Sequence, residues 1–413
     1  MNSGKRHPWL LWIGGLVLVL ILSQVFRVLV HQPTTVLPPQ GSQPPKPSPL
    51  YGKPLYLGEV AEWRPYPLLV DINGDGHLDL VATHRMPLQD NSLHIWLGTG
   101  EGTFNEVPQT WPSPGYAALA AGDINHDGHL DLIAGSHFHR LHTFLGDGQG
   151  QFTASVLATQ DGYVAARLAD VNGDGHLDAI VLGTEEVGLE IYQGDGTGQW
   201  TLMAQLMPGS IGKDLAIGDI NGDGKPDIVA VFNLGVVVFL QDESGGWARS
   251  PPDSYAIPGR FRSVALGDVN HDGHLDIALN GDFVGPNTPH GPDVYLGDGK
   301  GGWTPASKGL KVFQPSSQGI AIGDVDNDGC LDLVVGGNTT GAIGDKAYGL
   351  FLFTGDCRGN WTLQPNSGLP SEGLPYPYGI ALGDVNHDGL LDIVSVHGFT
   401  QDEGGHLAVW LHR

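Results

Sequence analysis

Residues 71–79 read Asp-Ile-Asn-Gly-Asp-Gly-His-Leu-Asp, with Asp71, Asn73, Asp75 and Asp79 at alternate positions around Gly76. The same pattern, D-x-N/D-x-D-G-x-x-D, begins again at Asp123, Asp170, Asp219, Asp268, Asp324 and Asp384. Successive starts are 52, 47, 49, 49, 56 and 60 residues apart. A period near fifty, dense in Gly and in short β-branched runs, points to propeller blades rather than helical solenoid repeats. Seven copies predict seven blades.

The surroundings of each loop share one grammar. A short apolar strand leads in, as at residues 263–267 and 319–323, and a second leaves, as at 331–335. A third ends in a Gly-rich turn before an aromatic, as at 189–200 and 294–303, and that aromatic opens a fourth. Alternation with period two and Gly-Asp-Gly turns are hairpin signals. Four antiparallel strands per repeat make one blade. The first strand is rich in Ala and Gly (118–122, 165–169), as suits an innermost position crowded around an axis. The seventh repeat stops at residues 407–413 without a fourth strand, whereas residues 55–60 precede the first inner strand and have no repeat of their own. That N-terminal stretch is predicted to supply the missing outer strand of the last blade, because an unclosed ring leaves an unpaired edge.

The loops carry the chemistry. Calcium takes six to eight hard oxygen ligands in a flexible geometry. Loop positions one, three, five and nine offer side-chain oxygens from Asp71, Asn73, Asp75 and Asp79 and from Asp123, Asn125, Asp127 and Asp131. The next sets are Asp170, Asn172, Asp174 and Asp178, then Asp219, Asn221, Asp223 and Asp227, then Asp268, Asn270, Asp272 and Asp276. Asp324, Asp326, Asp328 and Asp332 form the sixth set, and Asp384, Asn386, Asp388 and Asp392 the seventh. Position seven is His77, His129, His176, Lys225, His274, Cys330 or Leu390, which share only a backbone carbonyl, so that carbonyl is the expected ligand there. Gly at position six lets the chain turn sharply. An EF-hand needs a Glu at position twelve. Here that position is Ala82, Ala134, Val181, Ala230, Leu279, Val335 or Ser395, each inside a predicted strand. A metal-free Asx turn needs only one or two such residues. Up to seven Ca²⁺ ions are therefore expected.

This pattern resembles the FG-GAP/VCBS-repeat proteins, including the propeller of integrin α-subunits and some fungal seven-bladed lectins. The resemblance covers about residues 55–413 and implies calcium in the hairpin between first and second strands of each blade. There is no Phe-Gly before an inner strand (Tyr378-Gly379 is nearest) and no Gly-Ala-Pro. The integrin's particular partner is therefore not implied.

Composition agrees with an all-β chain, with Gly 63 and Pro 29 among 413 residues and 40% hydrophobic residues for a core. The formal charge of -25 argues against nucleic acid, which needs a basic footprint. Twenty-two acidic residues lie in the seven loops, so seven divalent ions bring the charge to about -11.

Four segments are expected: a basic tip at 1–7, an apolar helix at 8–30, a Pro-rich linker at 31–54 and the propeller at 55–413. Lys5 and Arg6 precede the apolar run, an order that exports the rest of the chain. The lack of an A-x-A-like site favours a membrane anchor over a cleaved signal peptide, which is the secreted or periplasmic alternative. Eight prolines between 33 and 54 make a stiff spacer reaching on the order of 60 Å. Cys330 and Cys357 fall where blade six's second strand begins and its third ends, which predicts a disulfide in an exported chain.

Segments before the inner strands bring Trp63, Arg64, Tyr66, Trp111, Tyr116, Tyr163, Arg260, Phe261, Arg262, Tyr376 and Tyr378 to the face opposite the loops. Such residues suit protein or glycan recognition. The plainer alternative is packing between blades. His84, His137 and His397 end second strands in adjoining blades, which offers either a second metal site or exposed loop histidines. No G-x-S-x-G, H-E-x-x-H or phosphate-binding loop is present, and other acids such as Glu185, Glu186 and Asp214 are scattered. The expected function is binding or adhesion without catalysis. The alternative is polysaccharide cleavage on a propeller scaffold.

Overall fold

The computed structural model describes residues 49–413 except 87–91, 109–114, 137–139, 160–161, 185–186, 282–290, 312, 314–315, 339–346 and 399–404. The expected basic tip, apolar helix and most of the linker lie outside the described residues. Among the described residues no helix is long and apolar enough to cross a membrane.

Blade six shows how the local sequence builds the unit. Ser316–Gly323, Asp332–Asn338, Tyr348–Gly355 and Trp361–Leu363 pair in that order, each antiparallel to the next. The second strand is buried along its whole length, which accounts for its unbroken Asp-Leu-Val-Val-Gly-Gly-Asn run in place of alternation. The fourth strands face solvent more, as in Trp200–Leu206 of blade three, where no residue is fully buried. Blades two to five repeat this order, and blade four adds the short strand Ile257–Pro258 beside its third. Every second strand begins on the position-nine Asp and carries position twelve in its interior, so the EF-hand geometry is absent from all seven loops.

The inner strands contact one another in chain order, and Pro377–Gly383 of blade seven returns to Leu55–Val70 of blade one. Among the described residues seven apolar clusters hold the ring, several of them drawing side chains from adjacent blades, as where Ile277 and Val264 of blade five pack with Val229 and Val238 of blade four.

Closure follows the expected strand exchange, with one difference. Leu55–Val70 is a single strand of 16 residues serving two blades. Its first part pairs with Gly405–Trp410, with Leu55 opposite Val409 and Leu57 opposite Leu407. Its second part pairs with Asp79–Met86 as the inner strand of blade one. The packed chain also begins before residue 55. Tyr51, which sequence reasoning places in the linker, is 1% exposed, bridges His412 and donates from its hydroxyl to the Leu391 carbonyl at 2.9 Å.

The axis is bridged. Tyr66 on the inner strand of blade one donates to Asp214 Oδ2 on the inner strand of blade four at 2.9 Å, and those blades are not neighbours in the ring. Asp214 is fully buried and also accepts from the backbone N–H groups of Leu215 and Val264. Arg167 of blade three stands 3.5 Å away. Burial raises the Asp214 pKa, against the lowering effects of Arg167 and these hydrogen bonds. An acid that looks scattered in the sequence is thus a keystone.

Cys330 and Cys357 form a disulfide, with Cα atoms 5.0 Å apart. The other blades show why these two positions meet. A Cβ on Gly100, Gly148, Gly196 or Gly299 would lie 2.2–2.5 Å from the position-seven imidazole of the same blade. Cys357 occupies the equivalent turn position, at φ 55°, and Cys330 the equivalent of the imidazole. The covalent bond in blade six replaces a histidine laid over a glycine. It closes a loop of 27 residues, worth about 3.5 kcal/mol in the chain-entropy model. Thiol labelling of the denatured, unreduced protein is expected to find no reactive cysteine, and two reactive thiols would sink the assignment.

Candidate metal centre

The seven Asp loops share one hydrogen-bonded frame. In the first, the backbone N–H of Asp75 donates to Asp71 Oδ1 at 3.0 Å, and that of Gly76 to Asp71 Oδ2 at 2.9 Å. The His77 N–H donates to Asp75 Oδ1 at 2.9 Å. Position-six glycines all take φ between 83° and 90°, as the turn requires. Position four is also left-handed: His126, His271, Asn327 and His387 have φ between 57° and 61° there. Asn tolerates that region, whereas His does so at some cost. Ligand spacing does not disclose this requirement, although the recurring Gly, Asn and His at position four is its signal.

Position nine has a second task. Asp79 accepts from the Ile72 N–H at 2.9 Å and from the Gly98 N–H at 2.7 Å, so one carboxylate ties the loop's start to the end of the third strand. Asp131, Asp178, Asp227, Asp276, Asp332 and Asp392 repeat both bonds. Each carboxylate oxygen keeps a further lone pair for a cation. In blade one this position is glycine, and a Cβ on Gly98 would lie 2.2 Å from the Leu78 carbonyl oxygen, whereas blades four and seven carry Gln241 and His412 there.

The electrostatics differ by position. Burial raises the position-nine carboxyls, against the two N–H donors and with a further rise from neighbouring loop aspartates. Asp276 and Asp392 reach about 6, and Asp332 about 7. At position five, the Asn125 and Asn270 side chains hold Asp127 and Asp272 below the ordinary carboxylate value. The sixth loop lacks this amide. There Asp326 replaces Asn, and carboxylate oxygens of Asp324, Asp326 and Asp332 lie within 4.8 Å of one another. Burial, then the charge of Asp328, raises the Asp326 pKa. All seven donor sets are hard oxygens, the chemistry of Ca²⁺ rather than of a soft metal.

The FG-GAP-like repeat family matches residues 71–134, 123–181, 170–230 and 219–279, together just over half of the chain. The chain belongs to the FG-GAP-like repeat family. Each matched unit runs from one Asp loop into the second strand of the next blade. Mouse integrin alpha-IIb is 28% identical over 159 residues, which is 33% of this chain and 15% of the integrin. The chain thus spans a small part of that relative's length. Among solved structures, BBS1N from its complex with ARL6DN superposes at a TM-score of 0.54 and 10% identity, covering 89% of this chain and 98% of that one. An ancestral GH74 enzyme superposes at 0.51 and 12% identity, covering 87% and 48%. These structural likenesses show the fold alone.

In this FG-GAP-like repeat protein the face opposite the loops is only partly an open surface. Trp63, Tyr163 and Phe261, offered by sequence as ligand contacts, are buried, so for them the packing alternative holds. Tyr66 is spent on the axis. Trp111 and His137 lie outside the described residues. Arg260 is exposed and Arg262 half-buried. Arg64, Tyr376 and Tyr378 come together at the junction of blades seven and one. The Arg64 guanidinium sits 4.0 Å over the Tyr378 ring, and the Tyr376 and Tyr378 rings are 4.8 Å apart. His84 and His397 are buried rather than exposed on loops. His397 bonds Ser395 Oγ at 2.9 Å, and burial lowers its pKa to about 4.

Proposed function

We propose that this chain is a calcium-loaded adhesion propeller, held outside the cytoplasm by its N-terminal apolar segment, that binds a protein or glycan on the face away from the loops. The sixth loop carries the metal reading. Three carboxylates converge there with no amide among the ligand positions, an arrangement that a divalent cation stabilises. Asp71, Asn73, Asp75, Asp79 and the His77 carbonyl, with their equivalents, hold the ions, which neutralise the loops and fix the blade hairpins. Integrin-type repeats support adhesion as the role.

The ligand contact is assigned to Arg64, Tyr376 and Tyr378, because a half-buried Arg stacked on Tyr presents rigid area at low entropic cost. The test is a glycan array, together with cell-surface capture, using residues 49–413 in calcium. Tyr378→Ala is expected to weaken binding about 10-fold or more while the fold persists. Undiminished affinity in the folded variant would move the contact elsewhere. Release of shortened polysaccharide would overturn the non-catalytic reading.

A further inference from the structure

One cluster of metal-binding side chains belongs to none of the Asp loops. Glu59, His84 and His94 each offer one donor atom, and the three atoms lie within 4.8 Å of one another. They come from three strands that meet where the ring closes. Glu59 lies on the part of Leu55–Val70 that completes blade seven, His84 on the second strand of blade one and His94 on its third. Both imidazoles are buried, His84 at 0% and His94 at 7% exposure, whereas Glu59 is open to solvent.

The surroundings orient these donors. Trp63 pairs across the strands with His84, its ring stands 5.3 Å from His84 and 5.2 Å from His94, and its Nε1 donates to the Glu59 carbonyl at 3.1 Å. Trp96 stacks on His94 at 5.3 Å. His84 Nε2 is 3.5 Å from Glu59 Oε1. His94 Nδ1 is 2.8 Å from Glu106 Oε1, while its Nε2, though buried, has no hydrogen-bond partner. With Nδ1–H donated to Glu106, the tautomer leaves a lone pair on Nε2. A carboxylate behind a histidine in this way is the usual support of a metal-bound imidazole.

We propose that Glu59, His84 and His94 form a second kind of metal site, for a Zn²⁺-class divalent ion, and that the bound ion clamps the ring-closing strand to blade one. Two imidazoles and one carboxylate are the donor set of three-ligand zinc sites, with a fourth position left for water on the exposed Glu59 side. Two nitrogens disfavour Ca²⁺ and Mg²⁺, so the site is chemically distinct from the Asp loops. Tetrahedral zinc needs donors about 3.3 Å apart. Glu59 Oε1 and His84 Nε2 already stand near this at 3.5 Å, and the remaining contraction draws the three donors in from within 4.8 Å.

The experiment titrates the full-length protein with Zn²⁺ in saturating Ca²⁺, with Co²⁺ as a spectroscopic probe. Expected are one tight equivalent, a tetrahedral Co²⁺ spectrum, and a higher melting temperature on Zn²⁺ addition. His94→Gln and Glu59→Gln should each lose the tight equivalent and the melting shift. Glu106→Gln should weaken Zn²⁺ about 10- to 100-fold, as a positioning residue would. Should the buried His94→Gln fail to fold, Glu59→Gln at an exposed position decides the matter. Absence of a tight equivalent, or one that survives Glu59→Gln unchanged and so resides on surface histidine pairs such as His77 and His387, would overturn the proposal.

Discussion

Metal-free protein is expected to melt on the order of 10 °C below the calcium-loaded form. With a Kd near 0.1 mM, millimolar calcium contributes about 1.4 kcal/mol per site, or about 10 kcal/mol over seven sites. Unfolding entropy near 2 cal/mol/K per residue converts this to roughly 10 °C or more for a domain of this size. The difference should grow with pH. The position-nine carboxyls of Asp276, Asp332 and Asp392 titrate near 6 to 7 in the fold, against 3.8 ordinarily. A raised carboxyl favours the folded state while protonated. That contribution is complete below about pH 4 and is lost as pH rises through about 6 to 7. The metal-free fold therefore loses it between about pH 4 and 7, and much of that loss falls between pH 5 and 7.5. Calcium needs the ionised carboxylates, so its affinity rises over the same window. Melting curves of calcium-loaded and metal-free protein at both pH values check this. Coincident curves at pH 7.5 would remove the metal assignment.

A chain beginning at Glu62 is expected to lose its native fold or to associate through blade seven. The missing residues provide the outer strand beside Gly405–Trp410, the fully buried Ala61 and the nearly fully buried Tyr51. Truncating a buried aromatic costs about 3–5 kcal/mol. Loss of the backbone pairing adds about 1 kcal/mol per bond and bares an edge that recruits other strands. Tyr51→Ala isolates the first effect and should lower stability by about 3 kcal/mol in denaturant melts. Adding a peptide of residues 49–61 to the shortened chain should restore a monomer by size exclusion. A shortened chain that stays monomeric and melts normally would show that closure does not depend on this strand.

The blade count, strand order and exchange at closure are legible in the sequence because each is set by spacing within one repeat or by a simple deficit at its two ends. The loop frame is legible for the same reason, whereas its role in holding calcium is proposed from its oxygen chemistry. Distant meetings are hidden. Tyr66 reaches Asp214 across 148 residues, and no period relates an inner strand of blade one to one of blade four. Glu59 and His94 escape notice beside His84 because each is an ordinary residue alone, and only the seam brings them together. Aromatics such as Trp63 and Phe261 look like contacts since composition does not tell an interblade core from a binding face.

The shared strand also orders events in time. Residues 55–61 are made before every other strand of the ring, yet their partner Gly405–Trp410 is the ring's last strand to emerge. Five inner blades can each complete their hairpins from local chain. Blade seven must wait, with the first-made strand unpaired through the synthesis of some 340 residues, roughly 20–70 s at ordinary elongation rates. Its search closes a loop of about 350 residues, the kind of long-range pairing that slows folding. During that interval the early edge is open to any strand nearby, including the same edge on another nascent chain.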